Sequence, residues 1–382
     1  MIYLDSAATS LVKPASVGRA MLRAMEDCAS PGRGGHRPAM RAAELVYRAR
    51  ERAASLFHVP DPEQVVFTMN ATHGLNLAIR SLAGPGTRVL VSGYEHNSVT
   101  RPLALIGAEI LAAESPLFDR AAALEAFRKR IGEAELVVCT MVSNVFGYIL
   151  PIEEIAALCR ERGVPLIVDA SQAAGSLPVD FETLGAAFIA MPGHKGLFGP
   201  QGTGILLCGE KGLPLLAGGS GSDSIEQHMP DYLPDRLEAG TPNVPGIAGL
   251  LAGMNYVAER GIDRIGARET DLMRMMAEEL AALEGVELFT GAEGAQSGVL
   301  SFRMPGQDCD EAAQFLAERG VCVRSGLHCA PFAHRSAGTL ETGTLRASFS
   351  PFVTEKEVHE ACAAVREFLP AKRGKTLPFP SV

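Results

Sequence analysis

The sequence lacks the features that mark several specialised classes of protein. Its eight cysteines, among 382 residues, include no Cys-X-X-Cys pair, so we predict neither a zinc site nor a disulfide framework, and we expect a reducing compartment. No apolar run approaches the roughly 18 residues of a membrane helix. The N-terminus also lacks a basic stretch followed by an apolar one. We therefore expect a cytoplasmic protein with no bound metal and no membrane partner.

Basic blocks are also absent. The formal net charge of -9 is spread over many short segments, which argues against nucleic acid as a partner. The chain is 47% hydrophobic and 21% charged, a balance typical of a globular enzyme. Because 382 residues exceed one ordinary core, we predict a large domain and a smaller one.

Short apolar runs alternate with helical patterns in the first half of the chain. We predict strands at 65–69, 88–92, 136–144 and 165–169, and helices at 39–57, 119–131 and 153–162. This spacing is typical of βαβ units and predicts a parallel sheet covered on both faces. Such sheets bind ligands beyond the carboxyl ends of their strands. The polar residues at those ends are His96, Asn144, Asp169, Gln172 and Lys195.

The pattern changes near residue 213. Residues 213–246 are rich in Gly, Ser, Asp and Pro and are interpreted as a long connection over the site or, alternatively, as a flexible surface loop. A smaller α+β unit is predicted from helices at 263–283, 309–320 and 355–369 and strands at 298–304 and 321–326. We divide the chain into an N-terminal arm that joins the small domain (1–15), a large domain (16–260), a small C-terminal domain (261–370) and a poorly ordered tail (371–382).

Lys195 has an unusual setting. It lies between two apolar runs in the glycine- and proline-rich stretch MPGHKGLFGPQGTG, directly after His194. One interpretation is a solvated loop lysine. The other is a positioned amine that forms a Schiff base with a cofactor or substrate carbonyl.

Other strand ends offer what a pyridine cofactor on Lys195 would need. The turn at Ala71 and Thr72 opens a helix, whose amides and dipole favour a phosphate, although an ordinary helix cap explains it equally well. Asp169 could pair with a protonated ring nitrogen, His96 could stack on the ring, and Gln172 could bond its phenolic oxygen. Each residue alone has a simpler explanation, and their joint occurrence favours the cofactor.

Several ordered motifs carry a family resemblance over almost the whole chain. They are Leu4-Asp5-Ser6-Ala7-Ala8-Thr9, Glu95-His96, Val142-Ser143-Asn144, Val168-Asp169-Ala170-Ser171-Gln172, Gly193-His194-Lys195, Glu238-Ala239-Gly240-Thr241-Pro242-Asn243, Arg324-Ser325-Gly326-Leu327-His328-Cys329-Ala330 and Arg346-Ala347-Ser348. The sequence resembles the fold-type I, class V aminotransferase family and, within it, the second group of cysteine desulfurases and selenocysteine lyases. The resemblance implies an α/β large domain with a mostly parallel sheet and a smaller α+β C-terminal domain.

The resemblance also implies a cofactor, pyridoxal 5′-phosphate (PLP), and a role for each matching residue. Around the cofactor it implies Lys195 as the Schiff-base lysine, His96 on the ring, Asp169 at the ring nitrogen, Gln172 at the phenolic oxygen, and Ala71, Thr72 and His194 at the phosphate. Thr241 would reach the phosphate of the other subunit of a homodimer. Asn144 and Arg346 would hold the substrate carboxylate, with His36 beside the substrate pocket and Cys329 as the nucleophile.

The implied activity converts L-cysteine to L-alanine, with sulfur passing to Cys329 as a persulfide and then to a protein acceptor, for instance in iron–sulfur cluster assembly. We expect Arg324 and His328 to favour the Cys329 thiolate. One alternative is a selenocysteine lyase acting on L-selenocysteine, in which Cys329 would be dispensable because selenium leaves readily. Another is a class V aminotransferase or epimerase. A catalytically idle scaffold is the third alternative, but it has no use for Lys195 and Cys329 together.

Two positions depart from the second-group pattern. Pro192 stands where that pattern has a serine, and His73 stands where it has a glutamate. A phosphate-binding hydroxyl is therefore missing, and we expect backbone amides or Ser171 to replace it.

Overall fold

A computed structural model describes residues 1–32 and 34–369, so the predicted tail at 371–382 lies outside the described residues. Within them the strands are β1 (Ile2–Tyr3), β2 (Val65–Thr68), β3 (Arg88–Ser92), β4 (Glu109–Ala113), β5 (Leu136–Thr140), β6 (Leu166–Asp169), β7 (Phe188–Pro192), β8 (Gly204–Cys208), β9 (Glu287–Phe289), β10 (Val299–Arg303), β11 (Val321–Cys322), β12 (Arg324–Gly326) and β13 (Thr344–Ser348).

Helices connect most of the strands of the first half of the chain. The helices are α1 (Ala15–Asp27), α2 (Arg37–Phe57), α3 (Ala71–Leu82), α4 (Asn97–Leu105), α5 (Arg120–Arg130), α6 (Ile152–Arg162), α7 (Phe181–Leu184), α8 (Val244–Arg260), α9 (Ile262–Ala281), α10 (Cys309–Glu318), α11 (Pro331–Ser336) and α12 (Glu355–Phe368).

Seven strands form the central sheet, in the order β2-β8-β7-β6-β5-β3-β4. Strands β4, β3, β5, β6 and β7 pair in parallel, and β8 runs antiparallel to both β7 and β2. The predicted mostly parallel sheet is therefore confirmed. Because the carboxyl ends of the parallel strands lie at one edge, the loops that follow them converge there.

Apolar packing covers both faces of this sheet. In β3, Leu90 packs with helices α2, α5 and α6 on one face, whereas its neighbours Val89 and Val91 pack with α3 and α4 on the other. Successive residues of a strand point to opposite faces. A strand buried on both faces therefore reads as a continuous apolar run, which is the pattern that predicted the sheet.

A smaller antiparallel sheet, in the order β12-β13-β10-β9, packs with α9, α10 and α12 around a second core. The predicted strand at 321–326 is wrong as one element. It divides into β11, which pairs with the N-terminal strand β1, and β12, which pairs with β13. The predicted strand at 136–144 ends at Thr140. Val142 forms an isolated antiparallel bridge with Ile149, and Asn144 begins a turn at 144–146.

The segment between β8 and α8 contains no helix or strand, as its composition predicts. Among the described residues, none of the helices combines the length and hydropathy that crossing a bilayer requires.

Candidate active site

Eight of the residues singled out from the sequence line one cavity of about 190 Å3 at the carboxyl edge of the central sheet. They are Ala71, Thr72, His96, Asn144, Asp169, Gln172, His194 and Lys195. Five different connections contribute to this set, so the parallel sheet is what brings them together.

The N-terminus of α3 forms one wall. Asn70 is the cap residue, and its side chain accepts the amide of His73 at 2.9 Å. The first amides of a helix have no partner inside the helix, which leaves those of Ala71 and Thr72 beside the cavity without an acceptor among the described residues. Amides of this kind, together with the helix dipole, bind an anion. The capping and phosphate interpretations of this turn are therefore compatible.

Hydrogen bonds through the Thr72 and Ser98 hydroxyls connect this wall to His96. The Thr72 Oγ1 lies 2.8 Å from the Ser98 Oγ, which lies 2.9 Å from the His96 Nδ1. Ser98 also lines the cavity. Its hydroxyl lies beside the N-terminus of α3, whereas Pro192, which lines the same cavity, has no hydroxyl to offer an anion. Sequence reasoning missed Ser98, and its position one residue inside the α4 N-terminus was the available signal.

Asp169 ends β6 and is 3% exposed. One carboxylate oxygen accepts the Ser171 amide at 2.9 Å, and the other has no protein donor among the described residues. Burial lowers the pKa of His96, and the nearby Asp169 carboxylate partly opposes this. His96 is therefore a neutral ring beside the buried Asp169 carboxylate, which has one oxygen free to accept a hydrogen bond.

Lys195 faces this carboxylate. Burial lowers the pKa of its amine to about 8, the Asp169 carboxylate acts in the opposite direction, and the Arg346 guanidinium lowers it further. An amine with a pKa this close to neutrality can exchange a proton and act as a nucleophile at physiological pH. The interpretation of Lys195 as a solvated loop lysine does not fit this environment.

The N-terminal segment closes the cavity from the side. The Gln172 Nε2 donates to the Ala7 carbonyl at 3.0 Å, and the His194 Nδ1 lies 3.0 Å from the Thr9 Oγ1. Burial, followed by the charges of Lys195 and Lys13, lowers the pKa of His194 to about 4. His194 is therefore neutral near pH 7 and acts as a hydrogen-bonding group.

Arg346 lies behind Asn144 and is 2% exposed. Its Nη1 donates to the Asn144 carbonyl at 2.9 Å, and its Nη2 donates to the Asp5 Oδ1 at 2.8 Å. The Nε is buried with no acceptor among the described residues. A buried guanidinium with one unused donor is suited to a carboxylate ligand.

Asp5 also accepts from the Nη2 of Arg324 at 3.0 Å, so one carboxylate is shared by two arginines. Sequence reasoning assigned Asp5 no role, although it lies in the quoted N-terminal motif. This contact joins residues 319 positions apart, which is why no local pattern indicates it.

Cys329 is an exposed cysteine on the loop that precedes α11. Its carbonyl accepts the amide of Asn97, the residue after His96, at 2.8 Å. The Nδ2 of Asn144 donates to the carbonyl of His328 at 2.8 Å. Two residues of this loop are thus bonded to segments that form the cavity.

The expectation that His328 favours the Cys329 thiolate by its charge is wrong. Burial, followed by the Arg346 charge, lowers the pKa of His328 to about 2, so its imidazole is neutral. The Arg324 charge is shared with Asp5. The motif places both residues beside the thiol, but burial decides the charge of His328.

Four predicted residues do not line this cavity. Arg346 and Cys329 are bonded to Asn144 and Asn97 beside it, whereas Thr241 and His36 lie apart from it. Thr241 is exposed in the loop before α8 and lines a different cavity with Glu238 and His73. His36 is exposed at the N-terminus of α2, where its Nδ1 accepts the Ala39 amide at 3.4 Å. Within one chain, neither residue joins the set around Lys195.

A second, smaller cavity of about 40 Å3 lies on the other side of Lys195 and Gln172. Glu269 of α9 lines it and has no hydrogen-bond or ion-pair partner among the described residues. The Oγ atoms of Ser6 and Ser297, which also line it, are buried without partners. Burial raises the pKa of Glu269 to about 8, so this acid is largely protonated near pH 7.

We expect Glu269→Gln to raise the free energy of unfolding relative to the unmodified chain, increasingly as pH rises from 4.5 to about 8. In that window the folded state binds more protons than the unfolded state, so the stability of the unmodified chain declines with rising pH. Glutamine keeps the shape of the protonated acid and does not titrate. Urea unfolding across this pH range measures the difference. Glu278→Gln, on the exposed side of the same helix, is the control, and a pH-independent difference for Glu269→Gln would contradict the prediction.

The comparisons with known proteins agree with this geometry. The family model for class-V aminotransferases matches residues 2–360. A probable cysteine desulfurase of Xylella fastidiosa is 34% identical over 380 residues, which cover 96% of this chain and 90% of the relative. A probable cysteine desulfurase of Methanothermobacter thermautotrophicus is 32% identical over 370 residues, covering 94% of this chain and 92% of the relative.

Two solved structures of cysteine desulfurases also resemble this chain. An apo structure of a cysteine desulfurase from Thermococcus onnurineus superposes with a TM-score of 0.87 at 33% identity and covers 96% of this chain and 94% of that one. The cysteine desulfurase CsdA of Escherichia coli gives a TM-score of 0.84 at 28% identity, with the same coverage. The predicted fold is thereby confirmed, and the chain belongs to the class-V aminotransferase family.

Proposed function

We propose that this chain is a PLP-dependent cysteine desulfurase that converts L-cysteine to L-alanine and carries the released sulfur on Cys329. One observation carries the proposal. The loop of an exposed cysteine is hydrogen-bonded to Asn97 and Asn144, and Asn144 lines the cavity that contains Lys195. An aminotransferase or epimerase has no use for a thiol at that place.

The residues present fit PLP. The free amides of Ala71 and Thr72, with the Ser98 hydroxyl, suit the phosphate. The Asp169 oxygen without a protein donor suits a protonated pyridine nitrogen. When bound, PLP supplies an electron sink for the negative charge left on the substrate Cα after proton removal. The neutral His96 ring and the Gln172 amide would hold the pyridine in place.

Lys195 and Arg346 would have different roles toward the substrate: proton transfer and carboxylate binding. The Arg346 guanidinium, whose Nη1 is bonded to Asn144 at the cavity wall, would bind the substrate carboxylate and so place the Cα near the cavity. The Lys195 Nζ, with its pKa lowered to about 8, would remove the Cα proton and later return it. A base whose pKa lies near the working pH is the most effective for such transfers.

Cys329 then takes the sulfur. The Cys329 Sγ forms a bond to the substrate sulfur while the carbon–sulfur bond of the substrate breaks. The substrate carbon gains the bonding electron pair and a proton, which yields alanine and a Cys329 persulfide. Because Cys329 is exposed, a protein acceptor can reach the persulfide and take its outer sulfur onto its own thiol. A small-thiol reductant can instead release that sulfur as sulfide, and two of its thiols are then oxidised to a disulfide.

The proposal includes a homodimer, with Thr241 completing the phosphate site of the second protomer. Its support is the position of Thr241, which is exposed and apart from the Lys195 cavity of its own chain. The proposal also includes a cytoplasmic location and the domain limits given above.

Steady-state release of alanine and sulfide from L-cysteine tests the function. With PLP and a reductant we expect equal amounts of the two products, and without reductant a single turnover that leaves a persulfide on Cys329. Parallel assays with L-selenocysteine distinguish a lyase. Conversion of selenocysteine without measurable conversion of cysteine, or formation of pyridoxamine phosphate without sulfide, would reject the proposal.

A further inference from the structure

The main chain of the Cys329 loop has a strained conformation. His328 and Cys329 have φ angles of 48° and 56°, so two consecutive residues with side chains lie in the left-handed region. In this region the Cβ of a residue lies too close to the following carbonyl oxygen, so the conformation is unfavourable. Conformations of this kind persist only where the surrounding structure imposes them. The contacts that impose this one therefore also fix the position of the thiol.

Two of these contacts come from the large domain. The Asn144 Nδ2 donates to the His328 carbonyl, and the Asn97 amide donates to the Cys329 carbonyl, each at 2.8 Å. They attach the loop to the cavity on one side.

A pair of imidazoles supports the loop from the interior. The His328 ring is 8% exposed and lies against the His334 ring, with the centroids 5.7 Å apart and the planes at 30°. His334 is fully buried, packs against Phe146 at 5.7 Å, and its Nδ1 lies 2.7 Å from the Thr339 Oγ1. This stack connects the residue preceding the thiol to helix α11 and to the apolar core.

Both rings act as neutral groups. Burial lowers the pKa of His334 to about 4 and that of His328 to about 2, and the charges of Arg346 and Arg324 also act on His328. The pair therefore contributes packing and hydrogen bonds to the loop, and no charge to the thiol.

We propose that His334, oriented by Thr339, is a positioning residue that holds His328 and thereby the Cys329 thiol at the distance required for sulfur transfer. The inference rests on the proposed function of Cys329. It requires no contact between His334 and the substrate or cofactor. Chemistry that does not need the thiol, such as the release of selenium from selenocysteine, is therefore independent of His334.

Thr339→Val and His334→Phe test this role. Valine keeps the shape of threonine but removes the hydroxyl that orients the ring, and phenylalanine keeps a planar ring without Nδ1. Because misplacing a reacting atom by 1 Å costs about 100-fold, we expect cysteine desulfuration to fall by about 10- to 100-fold. Selenocysteine turnover should stay within about twofold of the unmodified enzyme. Thr339→Ser, which keeps the hydroxyl, should retain the cysteine activity of the unmodified enzyme.

The reactivity of Cys329 gives a readout independent of turnover. The rate at which iodoacetamide alkylates Cys329 can be followed by peptide mass spectrometry. We expect this rate to change in Thr339→Val and to equal that of the unmodified enzyme in Thr339→Ser. Parallel loss of both activities, or no change in cysteine turnover and alkylation, would overturn the inference. If His334→Phe fails to fold, Thr339→Val decides the question.

Cys329→Ala separates this inference from the proposed function. If that variant still desulfurates cysteine at the unmodified rate, the nucleophile assignment fails, whatever the alkylation rates show. If it is inactive on cysteine and the His334 and Thr339 variants behave like the unmodified enzyme, only the positioning role fails.

Discussion

Lys195→Ala should reduce cysteine desulfuration by about 10⁴-fold, the upper end of what a positioned acid–base group contributes. The expectation follows from the surroundings of the amine. Burial lowers the pKa of Lys195 to about 8 while the Asp169 carboxylate limits the decrease, so the amine can take and return a proton near neutral pH. Among the described residues that line the cavity, no other lysine is present to replace it.

Product release alone does not identify the role of Lys195, so the test adds covalent attachment. Borohydride reduction of the enzyme with PLP, followed by peptide mass spectrometry, should find the cofactor on Lys195 in the unmodified chain and on no lysine in Lys195→Ala. Lys211→Ala is the matched control, because Lys211 is exposed and pairs with Asp231 on the surface. Unchanged turnover in Lys195→Ala, or attachment of PLP elsewhere in the unmodified chain, would contradict the assignment.

The central sheet and the convergence of polar residues around Lys195 can both be predicted from the sequence, for the same physical reason. Strands buried on both faces are continuous apolar runs, and their carboxyl ends must share one edge. Polar residues that follow such runs, including His96, Asp169 and Lys195, therefore lie close together although more than 90 positions separate the first from the last.

Other parts of the site depend on contacts that no local pattern encodes. Asp5 pairs with Arg324 and Arg346 across more than 300 positions, and this pairing sets which donors of Arg346 remain free. The neutrality of His328 depends on packing against the C-terminal sheet. The motif around Cys329 indicates which residues flank the thiol, but the neutral state of His328 follows from its burial, which depends on the whole fold.

The shared carboxylate of Asp5 also links the two halves of the site. The N-terminal segment pairs with β11 and reaches both Arg346, which we propose binds substrate, and Arg324 on the strand that leads to the Cys329 loop. Substrate binding and the thiol loop therefore rest on one structural unit. We infer that the contacts of Asp5 fix the position of Arg346 relative to the strand that leads to the Cys329 loop.

Cys329→Ala should reduce cysteine desulfuration by at least about 100-fold, equivalent to about 2.7 kcal/mol of lost transition-state stabilisation, and should leave selenocysteine turnover nearly unchanged. The thiol accepts the departing sulfur, which is a poor leaving group without an acceptor, whereas selenium leaves more readily. Alkylation of the enzyme after one turnover with cysteine should trap a persulfide on Cys329 in the unmodified chain and none in the variant. Cys322→Ala, at a half-buried cysteine of β11, is the control and should keep the persulfide. A Cys329→Ala enzyme that releases alanine and sulfide from cysteine at the unmodified rate would show that the exposed thiol is not the sulfur carrier.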